Sequence, residues 1–342
     1  MATGEKLEVR SSKFKVQSSK KVRPIAAPRA FRSSLNFELR TSNFLDITVL
    51  AGGPGAEREV SLNSGRAVCD ALCRLGHRVE LCDIGPNDLS ALDRPVDFVF
   101  VALHGEFGED GALQAELDAR GLRYSGSGTA ASRLAMDKVE SKRRFEQAGV
   151  LTPPYESVDQ TGLAGLASRM EPPVVVKPVA SGSSVDTSIA RTPQALSEAA
   201  TRVVARYGRA LVEKYIAGRE LTVGILGDEA LPVCEIRTQR EFYDYQAKYI
   251  DDNTEYLFDL DLPVDFLQRV QALSLAAHRA LGCGVFSRVD CMVDAATMEP
   301  YFLEVNTIPG FTSHSLLPKA AARVGITFDQ LCQRIVELSS AR

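Results

Sequence analysis

The sequence predicts an α/β protein, α+β in its later parts, with a largely parallel N-terminal sheet. Three observations carry this. Continuous apolar runs at 45–53 (LDITVLAGG), 77–84 (HRVELCDI) and 96–103 (VDFVFVAL) read as buried strands, the first ending in the glycines of a turn. A helical pattern over roughly 59–75 separates the first two, the order of a crossover unit. The length, 342 residues, exceeds one ordinary core and divides the chain into two or three domains.

Taken in order, residues 1–44 come first, with ten Lys/Arg against three Asp/Glu, many serines and no apolar run fit for a secretory signal. They read as a tail that buries too little surface to offset its ordering entropy, a transit peptide being the weaker alternative. An N-terminal α/β domain follows over 45–137. A central unit, 138–220, holds a charged helix (MDKVESKRRFEQAG), a buried strand (PPVVVKPV), a Gly-Ser loop, a second helix (TPQALSEAATRVVARYG) and a strand (ALVEKYI). The last unit, 221–342, opens with TVGILGDEALPVCEI, a hairpin pattern turning at Gly227-Asp228. The polar stretch 238–259 is too long for a simple connection and is a candidate lid.

A net charge of −4 excludes a general nucleic-acid binder, and no apolar stretch is long enough to span a bilayer. Seven cysteines without a CxxC pair make neither a disulfide nor a zinc framework, which points to a reducing, cytoplasmic setting. Cys69 and Cys73, four apart on a helix, read as packing residues.

The most informative segment is 288–306, RVDCMVDAATMEPYFLEVN. Two β-rich runs flank a turn, and a hairpin centred on Thr297 sets Asp290 opposite Glu304 and Arg288 opposite Asn306. Alternation then gathers all four on one face, an oxygen-rich surface suited to Mg²⁺, whose bare carboxylates should repel each other without metal. In KPVASGSSV, Lys177 ends an apolar strand before a small-residue loop able to cradle phosphates, although Gly-Ser turns are common and no Walker A motif exists. Lys138 offers another cation. Glu213 and Glu220 flank an alternating strand that could face a base and a ribose. The loop NTIPGFTSHSL, 306–316, leads into a helix, where N–H groups and hydroxyls suit a carboxylate or oxyanion.

These segments, together with GGPGAEREVS (52–61), HGEFGEDG (104–111), MDK (136–138), EKYIAGRE (213–220) and FYDYQAKY (242–249), occur in one order from about Ile47 to the C-terminus. In that order they resemble the D-alanine–D-alanine ligase family of the ATP-grasp superfamily. The resemblance implies a three-domain ATP-grasp fold that joins two D-alanines for peptidoglycan precursors, with ATP as co-substrate and two Mg²⁺ ions, Mn²⁺ being an alternative. It also implies a homodimer with no nucleic-acid or membrane partner. By carry-over, Lys138, Lys177 and Lys248 meet phosphates; Glu213, Lys214 and Ile216 hold adenine; and Glu220 holds the ribose. Asp290, Glu304 and Asn306 bind metal. Glu57 and His104 serve the substrate, Arg288 and Gly310 the oxyanion, and Ser315 and Leu316 the second carboxylate. Ser183 and Tyr249 link to Glu57 and close the lid.

Two departures stand out. GGPG precedes AERE where the family more often has polar residues, and Asp186 follows GSSV where glycine is usual, which puts a carboxylate beside a triphosphate. Two alternatives remain. One is a related ligase using D-lactate or another amino acid. The other is a nicotinamide oxidoreductase, because GSGTAA (126–131) imitates a dinucleotide fingerprint, although it follows three strands instead of opening the first unit.

Overall fold

The computed structural model describes residues 44–55, 57–238, 254–312 and 315–341. The tail therefore lies outside the described residues, as do Lys248, Tyr249 and most of the candidate lid.

The N-terminal part is built on three parallel strands in the order β2-β1-β3: β1 (Asp46–Gly52), β2 (Arg78–Ile84) and β3 (Phe98–Val101). Between β1 and β2 runs α1 (Arg58–Arg74), whose Val68, Ala71 and Leu72 pack on Ile47 and Val49. All three strands fall inside the apolar runs, and the parallel sheet is the expected one. The two glycines ending the first run have φ of 86° and 87°, and a Cβ at Gly52 would lie 2.0 Å from Asp83 Oδ1. Left-handed backbone at both, and this close approach at the first, account for Gly52 and Gly53, while nothing in the structure explains Pro54-Gly55, where a Cβ at Gly55 meets nothing nearer than 3.8 Å. Helices α2 (Ala112–Ala119) and α3 (Thr129–Met136) complete this part.

Helix α4 (Lys138–Gln147) starts where the Asp137 side chain accepts the N–H groups of Val139 and Glu140, a conventional N-cap. It leads into a four-stranded antiparallel sheet, β4-β7-β5-β6, made by β4 (Tyr155–Val158), β5 (Val174–Pro178), β6 (Ser188–Ala190) and β7 (Ala210–Lys214). Short α5 (Leu166–Arg169) and long α6 (Pro193–Tyr207) cover one face; α6 has Thr192 as N-cap, proline in its first turn and Leu196, Ala199, Ala200 and Val203 facing inward.

The third sheet is antiparallel, β11-β10-β8-β12-β13, with β9 beside β8. Its strands are β8 (Gly218–Leu226), β9 (Glu229–Ala230), β10 (Cys234–Arg237), β11 (Glu255–Leu257), β12 (Phe286–Asp294) and β13 (Pro300–Asn306). The β8–β9 hairpin turns at Gly227-Asp228 as expected. One expectation needs correction: the polar stretch 238–259 is not all loop, because Glu255–Leu257 pairs with β10. Three residues are too few to show a period. Helices α7 (Val264–Ala280), α8 (Leu316–Arg323) and α9 (Phe328–Ser340) back this region, and α8 and α9 share a core with α1 and the first sheet.

The cysteines Cys69, Cys73, Cys82, Cys234, Cys283, Cys291 and Cys332 are all free thiols. Cys69 packs against the first core, as expected, while Cys73 is exposed, contrary to a packing role. Among the described residues, no helix is long and apolar enough to cross a membrane.

Candidate active site

The hairpin register is the one read from the sequence: Arg288 pairs with Asn306 and Asp290 with Glu304. Beyond Asp290 the register slips, Cys291 pairing with Phe302, so a bulge at Leu303 turns that side chain into the adjoining cavity. The two carboxylates are not bare. Arg288 grips Asp290 from two residues away, Nε to Oδ1 at 2.9 Å and Nη2 to Oδ2 at 2.7 Å, and Thr222 donates to Oδ1 at 2.6 Å. Glu304 lies 3.4 Å from Lys138 Nζ. Asn306 accepts the Ile308 N–H.

A cavity of about 310 Å³ lies between the second and third sheets. It is lined by Lys138, Lys177, Glu213, Lys214, Ile216, Glu220, Asp290 and Glu304, with Val175, Ile189, Met292 and Leu303 supplying apolar walls. The sequence motifs of two units thus meet in one space. Lys177 reaches the Glu213 carboxylate, which also meets Lys142. Burial alone would raise the Glu213 pKa, but the two ammonium groups outweigh it and hold it at about 2. The Lys214 N–H is taken by the Pro154 carbonyl, so only other groups of this strand are open to a ligand.

A second, smaller cavity of about 60 Å³ adjoins the first and shares Lys138, Ser181 and Glu304 with it. Glu57, Ser183, Arg288 and Asn306 line it. The Ser183 hydroxyl donates to Glu57 Oε1 at 2.5 Å, the contact expected from the resemblance. Glycines clear the space at Oε2: a Cβ at Gly105 would sit 2.8 Å away and one at Gly182 3.3 Å away.

Behind Glu57, His104 is buried with both nitrogens in use. Nδ1 donates to the Ile308 carbonyl at 2.9 Å, and Nε2 accepts from the Ser64 hydroxyl at 3.0 Å. Burial pushes its pKa down, consistent with this neutral tautomer. Ser64 also accepts the Phe311 N–H, so His104 braces the 307–312 loop. In that loop Gly310 lets Ser315 approach, since a Cβ there would lie 2.6 Å from Ser315 Oγ. Ser315 accepts the Thr312 N–H and precedes buried Leu316, the first residue of α8.

The loop after Lys177 is held by three left-handed residues, Ser183, Ser184 and Asp186 (φ 51°, 55° and 54°). Such backbone strain concentrates at ligand sites. Asp186 turns away from the cavity, where Arg206 Nη1 meets it at 2.8 Å and the Tyr207 hydroxyl also donates to it. Its positive φ explains why glycine suits this position. Asp186→Gly relieves that strain and loses an exposed ion pair, so stability should change by less than about 1 kcal/mol. Nucleotide affinity should not change, and a drop above threefold by calorimetry would mean that the carboxylate faces the ligand.

Two charged residues here carried no recognisable signal in the sequence. One is Lys142, fully buried beneath Glu213. The other is Glu109, which lines the smaller cavity; its Oε2 accepts the Gly105 N–H at 2.8 Å and its buried Oε1 has no hydrogen-bond partner. Burial, helped by the Glu57 charge, pushes the Glu109 pKa up to about 8. Between the ordinary value of 4.5 and about 8 the folded protein keeps a proton that the unfolded chain loses. The contribution of this group is therefore full below that window and lost as pH rises through it. Glu109→Gln should shrink the fall in melting temperature between pH 5.5 and pH 8.5, and an unchanged fall would assign it to other groups.

GSGTAA proves to be a packing motif. Gly126 (φ 89°) and Gly284 let two backbones cross, with the Gly284 N–H donating to Ser127 Oγ at 2.9 Å. That removes the basis for a dinucleotide fingerprint.

The fold is that of the ATP-grasp class. A D-alanine–D-alanine ligase C-terminal family model matches residues 145–337, and its N-terminal counterpart matches 85–127. The D-alanine–D-alanine ligase of Gloeobacter violaceus is 46% identical, covering 86% of this chain and 99% of that protein. The chain belongs to the D-alanine–D-alanine ligase family. Among solved structures, the Bacillus anthracis D-alanine–D-alanine ligase complexed with ATP is 34% identical with a TM-score of 0.75, covering 86% of this chain and 97% of that one. The VanG D-Ala:D-Ser ligase of Enterococcus faecalis is 27% identical with a TM-score of 0.77, covering 86% and 99%.

Proposed function

We propose that this protein joins two D-alanines at the expense of ATP, through a D-alanyl phosphate. The observation that carries this is the junction of the two cavities at Lys138, Ser181 and Glu304. A nucleotide in the larger one would point its terminal phosphate toward a small amino acid in the smaller one. A carboxylate resists attack by an amine because its oxygens share the charge and oxide is a poor leaving group. Phosphorylation supplies a leaving group.

In this reading Glu213, Lys214 and Ile216 hold adenine, Glu220 the ribose, and Lys138, Lys177 and Lys248 the phosphates. Glu57, oriented by Ser183, receives the ammonium of the first D-alanine, and His104 holds the loop behind it. Arg288 and the Gly310 N–H face the oxyanion that develops when the second amine attacks. Ser315 and Leu316 at the start of α8 anchor the second carboxylate. Holding both substrates in register makes the encounter effectively intramolecular.

Asp290, Glu304 and Asn306 form an all-oxygen donor set. Two carboxylates and one amide leave the rest of a shell to water and phosphate oxygens. That suits Mg²⁺, which binds through one or two carboxylates plus phosphate, with Mn²⁺ as a substitute. Such ions would offset charge on the phosphoryl group in transfer. Tyr249 and the 238–259 segment are proposed to exclude water from the acyl phosphate. We propose a division into 45–137, 138–220 and 221–342, one sheet to each part, although β8 joins the third sheet from Gly218, three residues before the last boundary. We place the protein in the cytoplasm as a homodimer, for which mass measurement in solution is the test.

The deciding experiment is phosphate release with ATP, Mg²⁺ and D-alanine, with L-alanine as control. Phosphate should appear in proportion to D-alanyl-D-alanine. The structural likeness to a D-Ala:D-Ser ligase motivates a second arm offering D-serine and D-lactate alongside D-alanine, with products resolved by mass. D-alanyl-D-lactate should be negligible at neutral pH. Stimulation by another amino acid but not D-alanine would overturn the assignment.

A further inference from the structure

Lys142 sits one helical turn after Lys138 on α4, yet the two differ in surroundings. Lys138 lines the cavity, whereas Lys142 is 0% exposed and does not line it. A lysine so placed needs a fixed set of partners. Its Nζ lies 2.7 Å from Glu213 Oε2 and donates to Thr152 Oγ1 at 2.6 Å. The Thr152 hydroxyl donates to the Phe302 carbonyl at 2.9 Å, which fixes it as acceptor toward Lys142. The Tyr155 ring closes the side, its centroid 5.4 Å from Nζ. Glu213 gives its other oxygen, Oε1, to Lys177, which faces the cavity. From core to cavity the order is therefore Lys142, Glu213, Lys177.

The order matters because a buried carboxylate with a single ammonium partner would hold that partner fast. Were Lys177 alone to balance Glu213, moving it to a phosphate would strand a buried charge. With Lys142 behind, Glu213 stays balanced while Lys177 turns to an incoming anion. We propose that Lys142 is a positioning residue of the nucleotide site, neutralising Glu213 from the core side and so releasing Lys177 for the phosphates. This rests on the nucleotide reading of the larger cavity.

The surrounding charges agree. Burial, and after it Lys177 on β5, lower the Lys142 pKa, while Glu213 on β7 and Glu146 on its own helix raise it, and the balance leaves it at about 8. Lys142 thus carries its charge at neutral pH and loses it as pH rises through about 8.

The test is calorimetric titration of the full-length protein with ADP in Mg²⁺ and, separately, with adenosine. Lys142→Met keeps the length of the side chain and removes its charge. It should weaken ADP about tenfold or more and adenosine less than threefold, and raise the KM for ATP while leaving that for D-alanine unchanged. Lys142→Met combined with Glu213→Gln should bind ADP more tightly than Lys142→Met alone, because an amide needs no counter-charge. Should the variants fail to fold, the wild type gives the same reading: ADP affinity should fall from pH 7 to pH 9 while adenosine affinity stays level. Equal losses for ADP and adenosine, or unchanged ADP affinity in folded Lys142→Met or across that pH range, would overturn the inference. A wild type that binds neither ligand would instead overturn the nucleotide reading, and the inference with it.

Discussion

Arg288→Ala should reduce turnover by about a thousandfold and also destabilise the fold by about 3 kcal/mol, two effects with separate causes. The kinetic loss comes from removing a cation aimed at the developing oxyanion in the proposed reaction. The loss of stability comes from Asp290, which is buried and would keep only the Thr222 hydroxyl once both guanidinium contacts are gone. Arg288→Ala with Asp290→Asn should therefore recover most of the stability and none of the turnover. Glu304→Gln should behave differently. Its side chain is 31% exposed and its cation, Lys138, stands 3.4 Å away, so turnover should collapse with little change in melting temperature. The sequence suggests two bare carboxylates that repel each other; the structure gives each its own cation, and only Glu304 is cheap to remove. Thermal melts in EDTA alongside turnover assays check both claims. Arg288→Ala melting like the wild type would show that Asp290 is not held by it.

How far the site was legible follows from what each feature depends on. The pairing of Arg288 with Asn306 and Asp290 with Glu304 was readable because strand alternation and a single turn fix a hairpin register. The bulge at Leu303 was not, since one extra residue changes the pairing without altering the composition. The contact of Ser183 with Glu57, 126 positions apart, followed from the resemblance and from nothing local. Whether Asp186 faced a phosphate depended on φ and on Arg206 and Tyr207, twenty residues away in a helix. Lys142 and Glu109 were hidden for a different reason. In a charged helix or a Gly-Glu-rich loop, a buried lysine or glutamate looks like its solvated neighbours, and only the tertiary structure tells them apart. Conversely, GSGTAA showed a glycine pattern whose physical cause, close approach of backbone, was right while the partner was protein instead of a dinucleotide.

That crossing also predicts the largest stability effect away from the site. A Cβ at Gly284 would lie 1.9 Å from the Gly126 carbonyl oxygen, 2.4 Å from its carbon and 2.8 Å from the Ser127 nitrogen. All three are backbone atoms, so no side-chain rotation relieves the clash, and the 125–128 segment must move away. Moving it breaks the hydrogen bond from Gly284 N–H to Ser127 Oγ and disturbs Phe286, whose ring packs edge-on against Phe311 at 5.3 Å. Gly284→Ala should therefore cost about 3 kcal/mol or more, at the upper end for a point substitution. Gly282→Ala is the control two residues earlier: its φ is 66° but nothing lies within 4 Å of a new Cβ, so only the left-handed backbone is penalised, by about 1 kcal/mol. Urea titrations of both variants decide between the two causes. Because β12 starts at Phe286 and carries Arg288 and Asp290, Gly284→Ala should also lower turnover in whatever fraction stays folded. Equal midpoints for the two variants would mean that the crossing tolerates a methyl group and that glycine is kept at 284 for some other reason.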